Sequence, residues 1–101
     1  MSPLKQRISH RRGRGETALH VAAQSGATSV AKVIVTHASA AAHGVDVRDG
    51  SEGRTPLWNA CFDSRRGTAE LLLMHYADLS LAPARGEYEG ISAQLIIANK
   101  K

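Results

Sequence analysis

The chain repeats itself. Gly15-Glu16-Thr17-Ala18-Leu19-His20-Val21-Ala22-Ala23 and Gly53-Arg54-Thr55-Pro56-Leu57-Trp58-Asn59-Ala60-Cys61 align position by position, with Thr17 and Thr55 lying 38 residues apart. Val33-Ile34-Val35 in the first copy stands where Leu71-Leu72-Leu73 stands in the second. Self-similarity at a period of about 20 to 50 residues marks a stack of like units, none of which can bury its apolar face alone. This outranks the preference of any single residue, because the fold of one copy must suit the other copy beside it.

Each copy reads as a pair of helices. Thr17 and Thr55 can cap a helix with their hydroxyls, and Pro56 fits the first helical position, where a missing N–H costs nothing. Leu19, Ala22 and Ala23 fall on one helical face, as do Leu57, Ala60 and Cys61. Most of these side chains are small, so a neighbouring helix can approach closely. The first copy predicts helices over Thr17–Ser25, stopped by Gly26, and over Ser29–His37, with Val30, Val33 and Ile34 toward the core. The β-branched residues of that second segment alone favour a strand; the repeat register overrides them. The second copy predicts helices over Thr55–Asp63 and Gly67–His75, and Gly67 costs its helix about 1 kcal/mol relative to Ala.

The pattern resembles the ankyrin repeat: a turn, a T-P-L-H-like start, two alanines, a glycine, a second helix rich in branched apolar residues, and an Ala-Asp ending such as Ala77-Asp78. The resemblance covers about residues 13–101. It implies an all-α fold, an ankyrin-type α-solenoid of stacked helix-turn-helix repeats with projecting β-turn or hairpin fingers. On this reading residues 1–13 are a basic arm and residues 14–101 a repeat domain. Repeat 1 spans about 14–46, repeat 2 about 47–82 and a partial repeat 3 about 83–101.

The chain departs from the family in several places. Ala38–Gly44 intervenes where the family has its Gly-Ala-Asp ending, and its alanines are expected to extend the second helix by about one turn. Tyr76 stands where the family has Gly, so its turn must differ or be strained. His20 keeps the family's histidine, which bonds near the capping Thr and steadies adjoining turns; Trp58 replaces it with a large apolar surface, read as packing. Ser92 can cap a third unit, but Gln94 replaces its inward Leu, and Leu95, Ile96 and Ile97 lack a covering helix. Three readings of that end stay open: a piece of a longer array, a crude cap, or a face that meets another chain.

The resemblance implies a non-catalytic protein-interaction module, binding a protein partner through the concave groove and its fingers. The first finger, around Asp46–Gly53, turns at Asp49-Gly50 and offers Arg48, Asp49, Ser51, Glu52 and Arg54 as exposed contacts. The second, Leu81–Gly90, offers Arg85, Glu87 and Tyr88, whose ring either contacts a partner or folds back over the stack. Gln24, Ser25, Phe62 and Asp63 complete the expected surface from the first helices, with Phe62 as an exposed anchor.

Charge separates the two parts. Residues 1–14 hold Lys5, Arg7, Arg11, Arg12 and Arg14 and no acid, which leaves eight bases and nine acids in the rest. The arm is read either as a solvated terminus or, through Arg11, Arg12 and Arg14, as an import signal or a contact to nucleic acid or acidic surfaces. Cys61 is the sole cysteine, so an internal disulfide and a cysteine-based zinc site are excluded; it reads as a small buried side chain. The five histidines show no metal-ligand spacing, and the glycines are too scattered for a phosphate loop. No cofactor or metal is expected. No apolar run approaches the ~20 residues of a membrane span, and no apolar core follows the basic N-terminus. The expectation is a cytoplasmic or nuclear protein.

Overall fold

The computed structural model describes residues 16–38 and 44–99. Five helices are present among them: α1 (Ala18–Ser25), α2 (Thr28–Ala38), α3 (Pro56–Phe62), α4 (Arg66–Met74) and α5 (Ala93–Asn99), with a 3-10 turn at Gly44–Asp46. The helices α1 and α2 pair as one hairpin and α3 and α4 as the next. Inner helices α1, α3 and α5 lie side by side, and outer helix α2 lies against α4. The fingers between the hairpins contain no strand; they are turns held by side-chain and main-chain hydrogen bonds.

The helix starts follow from the caps. Thr17 Oγ1 accepts from His20 N–H at 3.4 Å and Thr55 Oγ1 from Trp58 N–H at 3.1 Å. Ser92 Oγ accepts from Leu95 N–H at 3.3 Å, opening α5 as its hydroxyl suggests. Each bond satisfies one of the donors that a helix N-terminus leaves unpaired.

The helix ends share one geometry on three different residues. Gly26, Ser64 and Tyr76 all take the left-handed conformation, with φ of 75°, 58° and 68°. In each case the following N–H reaches back into the helix: Ala27 to Ala22 O, Arg65 to Ala60 O and Ala77 to Leu72 O. This is the Schellman end, which glycine adopts without a Cβ penalty. Tyr76 adopts it with the penalty, and its ring is 91% exposed, so no burial offsets the strain. The turn is therefore retained and strained, not remodelled.

The core runs along the seam between the rows: Leu19, Ala22 and Ala23, then Leu57, Trp58 and Ala60, flanked by Val35 and Leu72 and closed by Ala93. Cys61 is buried, as its place beside Ala60 predicts. The expected face of α2 is corrected in part, since Ile34 packs against the core as expected. Val30 and Val33 are more than half exposed, whereas Ala31 and Val35 are fully buried. The outer helices approach closely enough for Thr28 Oγ1 and Thr68 Oγ1 to bond at 2.8 Å. Such an approach selects the small Ala31 for the contact, and Val30 and Val33 are turned outward while Val35 stays inside. Most of the Ala38–Gly44 insertion lies outside the described residues, as do residues 1–13.

His20 and Trp58 do the same work one repeat apart. His20 Nε2 meets Arg54 O at 2.8 Å. A carbonyl can only accept, so Nε2 carries the proton and Nδ1 accepts from Thr17. Trp58 Nε1–H donates to Ile91 O at 2.8 Å. Arg54 and Ile91 each immediately precede the cap of the next inner helix. Trp58 thus packs, as expected, and also replaces the histidine as a tie between successive turns.

Candidate interaction surface

The first finger is built around Asp49. Its Oδ1 accepts from the N–H groups of Glu52, Gly53 and Arg54 at 3.0, 2.9 and 3.2 Å. Its own N–H donates to Arg54 O at 2.8 Å, which closes the loop. Asp49 was expected to be an exposed contact; it is instead 7% exposed and serves as an internal brace. A turn residue chosen for Asp-Gly chemistry is placed inward because three main-chain donors converge on its carboxylate.

The second finger is fastened to the first. Arg85 Nε donates to Ser51 O at 2.7 Å and Arg85 Nη2 to Gly50 O at 2.8 Å. Arg48 Nη1 reaches Gly53 O at 2.9 Å and Ala82 O at 2.8 Å. Main chain joins main chain where Ala84 N–H donates to Glu52 O at 2.8 Å. Gly53 has φ of +78°, and a Cβ there would press on Ala84 at 3.3 Å, so the close seam also requires glycine. Arg48 and Arg85 are exposed residues, but these guanidinium donors are used in bracing.

Behind the fingers lies an aromatic cluster. Trp58 and Phe62 stack with centroids 5.0 Å apart, and Tyr88 meets Phe62 edge-on at 5.0 Å. The Arg54 guanidinium lies 4.5 Å above the Trp58 ring and is paired with Glu52 at 2.6 Å. Cation–π contact and ion pair together fix Arg54 in one place. The expected exposure of Phe62 is corrected, since it is half-buried; of the two readings of Tyr88, the second holds, and the ring folds back over the stack. The apolar ring of Phe62 in a polar face is covered by Tyr88 and does not stand free as an anchor.

Between the fingers and the inner helices the structure leaves a groove in two joined parts. One, of about 210 Å³, is lined by Glu16, Gln24, Ser51, Glu52, Arg54 and Asn59, with Asp49 at its base. The other, of about 470 Å³, is lined by Glu16, Val21, Gln24, Ser25, Asp63 and Arg65. The fold therefore brings Gln24, Ser25, Asp49, Ser51, Glu52, Arg54 and Asp63 to one groove. Glu87 is exposed and, like Arg85, lies on the second finger outside that lining. Arg11, Arg12 and Arg14 lie outside the described residues. Glu16, Asn59 and Arg65 line the groove without having been expected there. The signal for Asn59 was available: it replaces Val21 of the first copy, a polar residue at an apolar register position.

Among the described residues no group of three or more metal-binding side chains occurs, and no helix is long and apolar enough to cross a membrane.

Stacked helical hairpins with braced fingers along one edge define a repeat solenoid. A family model for ankyrin repeats (3 copies) matches residues 3–82, and the chain belongs to the ankyrin-repeat family. That match begins within the stretch read from sequence as a basic arm. Comparison with curated proteins finds no match. Ankyrin repeats are generally non-catalytic and bind protein partners.

Proposed function

We propose that this chain is a protein-interaction module that holds its partner in the groove between the first finger and the inner helices. The supporting observation is the cross-bracing of the two fingers, above all the Arg85 bonds to Ser51 O and Gly50 O. A groove whose wall is already ordered spends little free energy on ordering when a partner binds. The residues proposed to touch that partner are Gln24, Ser25, Ser51, Glu52, Arg54 and Asp63, with Arg48, Arg85 and Glu87 along the finger edge. A cytoplasmic or nuclear setting belongs to the same proposal.

The test is affinity capture with the full chain and with a Gln24→Lys, Asp63→Lys variant. Both positions are exposed, so circular dichroism and the melting temperature should be unchanged while the captured partner is lost. A control variant, Lys32→Glu with Glu70→Lys on the outer helices, should retain it. Loss with the control and retention with the groove variant would overturn the assignment.

A second reading concerns the far end. Leu95 and Ile97 are 49% and 45% exposed, beside a cavity of about 280 Å³ that includes Cys61, Ala69, Leu73 and Ile97 in its lining. This uncovered face favours stacking of a further repeat or another chain there, and a version extended past Lys101 should then melt markedly higher. The arm as a nucleic-acid tether is tested by salt dependence, which should be steep if its cations meet phosphates.

A further inference from the structure

We infer that the groove selects an extended basic peptide segment of a partner protein, recognised through its backbone by the Asn59 amide and through its cations by Glu16 and Asp63. The inference rests on the groove being the binding face, and adds the chemistry of what it holds.

Two independent observations meet here. The first is charge. Across both parts the groove is lined by four carboxylates, Glu16, Asp49, Glu52 and Asp63, and by two guanidinium groups, Arg54 and Arg65. Arg54 is paired with Glu52 and pinned over Trp58, and Arg65 Nε is engaged by Gln24 O at 3.1 Å. Asp49 Oδ1 is occupied by the finger. Glu16 and Asp63 have no ion pair among the described residues. Four carboxylates against two guanidinium groups leave the lining net negative by two, although Arg65, bonded to a neutral carbonyl, keeps its positive charge.

The second observation is Asn59. It is 5% exposed, lines the groove, and its amide makes no hydrogen bond among the described residues. Neither its oxygen nor its nitrogen is sealed from solvent, and the groove is the cavity that it lines. A ligand that covers this amide must match its hydrogen bonds or forfeit about 1–3 kcal/mol; the first copy carries Val21 at the equivalent position. A carboxamide carries an acceptor and a donor side by side, which matches the N–H and C=O of one extended peptide unit. An acidic lining alone would attract any cation. The amide adds the demand for a peptide backbone.

The probe is a fluorescein-labelled dodecapeptide of alternating Arg and Ser, measured by anisotropy with the full chain. Peptides of alternating Gln and Ser, and Glu and Ser, are the comparisons. The Arg peptide should bind at least about tenfold more tightly than the Gln peptide, and the Glu peptide not measurably. Asn59→Val should weaken the Arg peptide about tenfold while the melting temperature stays level or rises. Glu16→Gln and Asp63→Asn should each weaken it about threefold, and added salt should weaken it further.

Equal binding of all three peptides, no measurable binding of the Arg peptide, or Asn59→Val binding like the parent, would overturn the inference. If the Gln or Glu peptide binds best and Gln24→Lys with Asp63→Lys abolishes it, the groove stands as the site and the basic preference falls. Binding of the Arg peptide that survives every one of these substitutions removes the groove reading as well. The arm supplies an internal competitor. If Arg11→Ala, Arg12→Ala, Arg14→Ala raises affinity for the Arg peptide, the chain's own N-terminus occupies the groove, and the assignment to a partner segment is overturned.

Discussion

Replacing Trp58 by Phe tests how the successive turns are tied together. Trp58 is fully buried, and its indole N–H donates to Ile91 O at 2.8 Å, just before the Ser92 cap of α5. Phe keeps a ring over Phe62 and under Arg54 but removes the donor. The carbonyl left without its partner costs about 2 kcal/mol, and the smaller ring forfeits about 1 kcal/mol of packing. A loss of about 3 kcal/mol is large against the roughly 5–15 kcal/mol that holds a domain together. It should lower the melting temperature by roughly 15 °C. Urea denaturation followed by circular dichroism measures the global loss, since the substitution removes the only tryptophan. Amide exchange locates it: protection across Ala93–Asn99 should fall more than protection across Ala18–Ser25. A variant within about 0.5 kcal/mol of the parent, with α5 protection unchanged, would refute the view that this bond anchors the last helix.

Four further outcomes follow from the same structure. Gly67→Ala should stabilise the chain by up to about 1 kcal/mol, because the added Cβ would meet only Thr28 Oγ1 at an ordinary 3.5 Å; a lower urea midpoint would contradict this. Tyr76→Gly should raise stability by about 1 kcal/mol by relieving a left-handed residue, read as a higher melting temperature. Asp49→Ala should cost about 2–4 kcal/mol through the loss of three charge-assisted bonds, with Asp49→Asn roughly halving that loss in the same denaturation assay. The Asp78 carboxyl is held below its ordinary pKa of 3.8, first by the Ser80 hydroxyl and then by the Ser80 N–H. A depressed folded-state pKa means its contribution is present above 3.8 and lost as pH falls through the lower folded value. An NMR titration should find that midpoint below 3.8, and Ser80→Ala should move it back up.

Much of the architecture was legible because the repeat specifies it twice. Thr17 and Thr55 cap as their chemistry requires, and Gly26 stops its helix. The equivalent stop at Ser64 was legible too, since it lies 38 residues after Gly26, although serine does not advertise left-handed geometry. The face of α2 was not legible from periodicity. In the Val30–Val35 run, apolar residues lie on more than one side, and the close Thr28–Thr68 approach decides which side is buried. The finger contacts were hidden for a different reason. Asp49, Phe62 and Tyr88 have the side chains of surface contacts, but Asp49 turns inward to three main-chain donors of its own finger, and the Phe62 contact comes from Tyr88 on a finger far along the chain. Local sequence shows that such residues exist and not which of them meet. Asn59 is the converse case, a groove residue visible as a mismatch between copies once Val21 is set beside it.

The groove as the recognition face is tested most directly by amide NMR of the isotopically labelled chain, titrated with its captured partner. Shifts should concentrate at Glu16, Gln24, Ser51, Asn59 and Asp63 and leave the outer helices unmoved. Shifts confined to Val33, His37, Glu70 and Met74 would place the partner on the opposite face and contradict the account.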